Sequence, residues 1–271
     1  VLYDEGLLDF QEPFTNLLTQ GMVTKDGSAM SKSKGNIVSP EEIIQKYGAD
    51  TARLFILFAA PPDRDLDWND RGVEGSYRFL NRVWRITTFT DDRGIPQYDG
   101  PTGEEEQKLR LAVHQAIRRV TVDIGERFQF NTAISAIMEL VNAISAYRDR
   151  LAPDRQHRAS LEEANRTVLL LLAPFAPHIC EELWQQLGYD GSIHAQSWPV
   201  YDPQALQVSR VEVVVQVNGK VRDRIEAERG MDRDQLKDLA LRNERVQTWI
   251  QGAEIVKVIV VPDKLVNIVI R

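Results

Sequence analysis

The chain has 271 residues, with 33 Lys+Arg against 40 Asp+Glu, a net charge of −7 and 43% hydrophobic residues. That composition excludes wholesale disorder, and the length exceeds one ordinary core, so two or three domains are expected. A single cysteine, Cys180, excludes a disulfide scaffold or a multi-cysteine zinc site within the chain.

The longest apolar runs, Leu54 to Ala60 and Val168 to Ala173, fall far short of the roughly 20 residues of a membrane span. No basic segment followed by an apolar one opens the chain, which argues against secretion. Val1, in a mixed acidic and apolar segment, reads as the first residue of a piece cut from a longer protein. Net acidity by itself argues against a nucleic-acid partner, but the charge is unevenly spread. Residues 1–80 carry 8 basic and 13 acidic side chains, 81–202 carry 13 and 17, and 203–271 carry 12 and 10. A mildly basic tail keeps a phosphate-backbone partner open.

Residues 1–38 lack sustained periodicity and hold a loop of small and cationic residues from Lys25 to Asn36. A helix start follows: Ser39 suits the N-cap, Pro40 the first position and Glu42 the third, a capping-box pattern. Gly48 ends this short helix, and Ala49 to Ala60 reads as a second one stopped by Pro61-Pro62. From about 70 to 190 the period is helical. Val73, Tyr77, Leu80 and Trp84 share a stripe, as do Leu109, Val113, Ala116 and Val120. Thr102 with Glu105 and Ser160 with Glu163 suggest further capping boxes, and Asn131 a further cap. Pro177 opens a last helix, and Gly188 follows its end. Four or five such helices make an antiparallel bundle. Residues 191–209 read as a turn-rich linker. Beyond it the period becomes two: Val211, Val213, Val215 and Val217 alternate, and Asn218-Gly219 is a type I′ hairpin signal. A helix from Asp232 to about Gln251 and strands near 255–261 and 265–270 complete a small β-β-α-β-β module.

The stretch richest in chemistry is Met30-Ser31-Lys32-Ser33-Lys34-Gly35-Asn36. Two ammonium groups neutralise charge, two hydroxyls and the backbone N–H groups donate, and Gly35 permits close approach, so the loop suits a polyphosphate. It lacks the Walker A spacing. A solvated Ser/Lys loop is the bland alternative.

Ala29 to Ser33 resembles the second signature loop of the class I aminoacyl-tRNA synthetases, usually K-M-S-K-S, and Lys34-Gly35-Asn36 extends it toward the leucine, valine and isoleucine branch. Leu18 to Val23, Tyr47 to Arg53, Asn81 to Trp84 and Ala173 to Trp184 continue the likeness, which spans essentially the whole chain. The tail block Gln216 to Arg222 resembles the bacterial type of leucyl-tRNA synthetase. The fold so implied is multidomain and mainly α. Residues 1–72 would be the C-terminal remnant of a catalytic domain, 73–198 a bundle of anticodon-binding type, and 205–271 a small ββαββ tRNA-binding domain.

The resemblance implies a leucine–tRNA ligase. The complete enzyme would join leucine to ATP as leucyl-adenylate, releasing pyrophosphate, and pass the leucyl group to tRNA(Leu). ATP and Mg2+ are the implied small molecules, with Lys32 catalytic and Met30, Ser31, Lys32, Ser33, Lys34, Gly35 and Asn36 binding ATP. Ala29 departs from the family, whose first signature lysine it replaces; Lys25 stands nearby as a compensating cation. The first signature motif and the editing domain are missing, so this chain alone is expected to be inactive. The implied protein is cytoplasmic, monomeric and without a membrane partner or a metal site of its own.

Arg82 and Arg85 are candidate phosphate contacts in the bundle. Lys220, Arg222 and Arg224 alternate on the return strand and so would share one face, either a charged edge or a tRNA contact. Cys180, Trp84 and Trp184 read as core residues, and His178 as a partner for a backbone group. Asp63, Asp65 and Asp67 read as a structural turn rather than a calcium loop. The alternatives are a non-catalytic tRNA-binding module, or a fragment of a valyl or isoleucyl enzyme.

Overall fold

A computed structural model describes residues 1–271 apart from Pro13, Thr15, Asp91, Val208, Ser209, Arg229 and Gly230. They form two compact units, residues 1–202 and 203–271.

In the first unit, the stretch expected to be irregular contains a small sheet. Strands β1 (Val23–Lys25) and β2 (Ser28–Ala29) form a hairpin around Asp26-Gly27, both at positive φ (55° and 70°), as a type I′ turn requires. Strand β3 (Leu66–Asp67) pairs in parallel with β1, giving the order β2-β1-β3. Helices α1 (Pro40–Tyr47) and α2 (Ala49–Ala59) lie between. Ser39 is the N-cap of α1 with Pro40 in its first turn, yet its hydroxyl makes no capping bond. Gly48 both closes α1 and precedes α2.

The bundle comprises α3 (Asp70–Thr88), α4 (Glu104–Gly125), α5 (Phe130–Arg150), α6 (Arg158–Leu172) and α7 (Pro177–Gln186). Its core runs from Leu54 of α2 through Leu80, Val113, Ile137, Leu140 and Leu169 to Trp184, all buried. Cys180 belongs to this core, and the partly buried Trp84 packs against it. Tyr77 does not; it is exposed and packs edge-on against Tyr47. A smaller cluster of Phe55, Leu66 and Val73 sits under β3.

Tertiary contacts move three expected caps. Gly103, not Thr102, caps α4: Glu106 accepts the Gly103 N–H at 2.7 Å and the buried Tyr147 hydroxyl proton, while Glu105 is drawn off by Arg150 and Lys108. His157 caps α6, its Nδ1 accepting the Ser160 N–H at 3.2 Å. Asn131 lies inside the first turn of α5, whose N-cap is Gln129. The expected linker is also shorter. Ile193 is buried in the bundle core, Trp198 Nε1 donates to Thr121 at 2.8 Å, and the Asp202 N–H donates to His114 Nδ1 at 3.1 Å, so the chain stays on the bundle through Asp202. Among the described residues no helix is long and apolar enough to cross a membrane.

The second unit is a four-stranded sheet, β4 (Arg210–Val217), β5 (Lys220–Glu228), β6 (Ile255–Val261) and β7 (Leu265–Ile270), in the order β5-β4-β7-β6. Val213, Val215, Val217, Val266 and Ile268 bury one face against α8 (Arg233–Arg242) and α9 (Glu244–Ile250). The single helix expected from Asp232 to Gln251 is therefore two. Asn243 breaks it, ending α8 and capping α9 by accepting the Val246 N–H at 3.0 Å; a short amide that satisfies an orphan N–H favours a cap over a helix interior. Asn218 and Gly219 have φ of 51° and 77°, the I′ turn expected between β4 and β5.

Candidate nucleotide-binding loop and nucleic-acid surfaces

The signature-like loop is a short, internally bonded arch rising from the β1–β2 hairpin. Lys32–Lys34 forms one 3₁₀ turn capped by Ser31, whose Oγ accepts the Lys34 N–H at 3.3 Å and meets Ser33 Oγ at 3.2 Å. Gly35 closes the turn at φ 66°, a conformation that costs a residue with a side chain, and its N–H donates to the Lys32 carbonyl at 3.2 Å. Lys32, Ser33, Lys34 and Gly35 are exposed, and Met30, Ser31 and Asn36 are half-buried. Neither Lys32 nor Lys34 has an ion pair among the described residues, which leaves two unneutralised cations two positions apart.

The hairpin below the loop is moored by a carboxylate from far along the chain. Asp67 Oδ1 accepts the Thr24 hydroxyl proton at 2.8 Å and the Gly27 N–H at 3.2 Å, and Asp65 Oδ1 accepts the Met22 N–H at 2.8 Å. These aspartates are thus spent on structure, and among the described residues no cluster of three His, Cys, Asp or Glu is suited to a metal. The Asp26-Gly27 pair signals the hairpin in the sequence; the role of Asp67 has no local signal at all. Ala29 is registered opposite Thr24, and Lys25 opposite Ser28. Lys25 therefore leaves the hairpin on the opposite face from Ala29 and does not replace the missing lysine.

Arg82 and Arg85 line a groove of about 800 Å³ between α2, α3 and α5, together with Arg78, Phe55, Phe58 and Met138. Arg82 Nη2 donates to Asn142 at 2.7 Å. Burial, then the neighbouring Arg85 and Arg93, lowers the Arg82 pKa below the usual guanidinium value, and its buried Nε has no hydrogen-bond partner. Three guanidinium groups, Arg78, Arg82 and Arg85, share this groove, whose lining also carries the carboxylates of Asp65 and Asp67.

In the tail, the expected common face of Lys220, Arg222 and Arg224 does not exist. Val217 pairs with Lys220 and Val214 with Arg224, but the register slips between Val215 and Gln216 and leaves Arg222 as an extra, bulged residue. Because cross-strand partners share a face, Lys220 lies with the buried valines' face and Arg224 on the other. The bulge re-aims Arg222 onto the indole of Trp249, its guanidinium carbon 3.4 Å from the ring centroid. Arg224 pairs with Glu212 at 2.8 Å. Lys220 is exposed.

Of two further side chains, Cys180 keeps the core role expected of it and His178 does not keep its own. Cys180 is fully buried, and burial, helped by Asp50, holds its thiol well above the usual range, so it is inert core. His178 bonds the carboxylate of Asp50 rather than a backbone group.

Residues 7–69 match the family model of class I tRNA synthetases (I, L, M and V), and residues 106–237 match the anticodon-binding domain of tRNA ligases. The chain thus carries a class I tRNA synthetase segment followed by an anticodon-binding domain of the tRNA-ligase type. Over its whole length it is similar to LeuRS from Agrobacterium radiobacter, solved in a ternary complex with tRNA and LeuAMS. The TM-score is 0.73 at 31% identity, and the match covers 100% of this chain and 35% of that one.

Proposed function

We propose that this chain is the C-terminal part of a leucine–tRNA ligase, contributing an ATP-contacting loop and tRNA-binding surfaces to a longer enzyme. The observation that carries the reading is the arch of Ser31 to Gly35, with Lys32 and Lys34 unpaired and exposed beside two hydroxyls. In this reading leucine's carboxylate attacks the α-phosphorus of ATP, the bond to the bridging oxygen breaks, and pyrophosphate leaves; Mg2+, when bound, would supply charge neutralisation. Lys32 neutralises the charge that builds on that leaving group, which is worth more in the transition state than in the ground state. A ribose hydroxyl of tRNA(Leu) then attacks the adenylate's carbonyl carbon and AMP leaves.

Residues 1–72 would be the catalytic-domain remnant, 73–198 the anticodon-binding-type bundle and 205–271 the tail domain. Arg82, Arg85 and Lys220 are the favoured tRNA phosphate contacts. Arg222 and Arg224, already engaged by Trp249 and Glu212, would reach RNA only with their outward atoms. The exposed apolar side chains of Leu7, Phe14 and Leu17, at 71%, 76% and 89% exposure, support a larger catalytic domain packed on this segment. The enzyme would work as a cytoplasmic monomer.

Two measurements test this. The chain alone should give no ATP–pyrophosphate exchange; a signal from it would overturn the inactive-fragment reading. Binding to tRNA(Leu) should exceed binding to valine tRNA at a fixed, stated salt concentration, and equal binding would defeat the leucine assignment.

A further inference from the structure

Asn36 stands just past the loop's second lysine, and its amide carries one acceptor atom and one two-proton donor. Oδ1 accepts the Ser31 N–H at 2.9 Å. Nδ2 donates to the Ser28 hydroxyl at 3.2 Å and to the Ala29 carbonyl at 3.3 Å. The partners dictate the amide's orientation, because an N–H can only donate and a carbonyl can only accept. These ties run to residues five, seven and eight positions back and close the base of the arch, leaving Lys32, Ser33 and Lys34 outside it. Both Nδ2 protons are spent, so Asn36 has no donor left for a phosphate oxygen.

We infer that Asn36 is a positioning residue and not an ATP ligand: it latches the loop so that Lys32 and Lys34 are held out together before a polyphosphate arrives. This rests on the reading of the loop as a phosphate site. Loop ordering completed in advance is not charged against binding, so the latch raises affinity without touching the ligand.

The test uses the whole chain with inorganic tripolyphosphate as probe, titrated calorimetrically over a salt series, alongside amide exchange at Ser31. In N36A the Ser31 amide should exchange ~10-fold faster, and the dissociation constant should rise about 5- to 10-fold, in proportion to lost preorganisation. The salt dependence should stay at the wild-type value, since both cations remain. In K32A, by contrast, affinity should fall and its salt dependence should shrink. S28A, which removes one tie, should move affinity in the same direction as N36A by less. An N36A salt dependence that shrinks like that of K32A would make Asn36 a ligand and overturn the inference. A wild-type affinity that needs Lys32 but is untouched by N36A overturns the latch alone. A wild-type chain that does not bind tripolyphosphate overturns the phosphate reading, and the positioning role with it. Near-UV circular dichroism of the Trp184 core confirms that each variant is folded.

Discussion

Asp50 and Ile179 lie 129 residues apart, yet the Asp50 carboxylate accepts the Ile179 N–H at 2.7 Å and so caps the N-terminus of α7 from α2. Its other oxygen meets His178 Nδ1 at 2.8 Å. The helix that opens at Pro177 has no side-chain cap of its own; a buried carboxylate from α2 satisfies one orphan donor and faces the positive end of the helix dipole.

Replacing Asp50 with alanine should therefore cost about 1–2 kcal/mol, the range for a lost cap, because a partly buried N–H loses its acceptor. Urea unfolding followed by tryptophan fluorescence measures it. His178→Ala should cost much less, since that ring is 75% exposed. Equal losses from the two variants would show that the histidine contact, not the cap, carries the stabilisation.

His114 gives the bundle a pH dependence. Burial lowers its pKa from 6.5, outweighing Glu163, whose Oε1 is 3.8 Å from Nε2; Arg110 lowers it further, and Asp202 opposes. Its Nδ1 must stay unprotonated to accept the Asp202 N–H. A base whose pKa is depressed by folding binds its proton more readily in the unfolded chain, so its contribution is complete above about 6.5 and is lost as the pH falls toward the lower folded pKa. Wild-type stability should decline across that window, and H114Q should decline less. Parallel curves for the two proteins would refute the assignment.

In the tail, Arg222 and Trp249 should be energetically coupled. A double-mutant cycle of R222A and W249A should give about 1 kcal/mol, as expected for a cation over an indole at a half-exposed site. Coupling indistinguishable from zero would mean that the bulge re-aims Arg222 for some other purpose.

Ala29 sits on β2, exposed at the base of the loop. In the complete enzyme of the proposed reading, A29K should speed adenylate formation, with a ceiling near the 3–4 kcal/mol that one preorganised charged donor can supply to a transition state. The measurement is pyrophosphate exchange at saturating leucine. An unchanged rate would show that Lys32 and Lys34 already suffice.

What was legible in the sequence was what local chemistry controls. Pro40, Gly48, Pro177 and Gly188 mark helix ends because proline lacks an N–H and glycine tolerates positive φ. Asn218-Gly219 names its own turn, the valines of β4 declare a half-buried strand, and the residues from Met30 to Gly35 carry their phosphate-like chemistry in their types and order. Decisions among equivalent local choices were not legible. Glu105 and Glu106 suit the third position of α4 equally well, and the buried Tyr147 selects Glu106. Arg222 alternates correctly on paper, and a one-residue bulge re-aims it and leaves Lys220 and Arg224 on opposite faces. Asn36 looks like one more polar residue of a binding loop until its three partners are known. Tertiary structure decided these cases because a hydrogen bond or a strand register depends on which distant group arrives, as Asp67 does at Thr24 and Asp50 at Ile179, and no short-range pattern encodes that arrival.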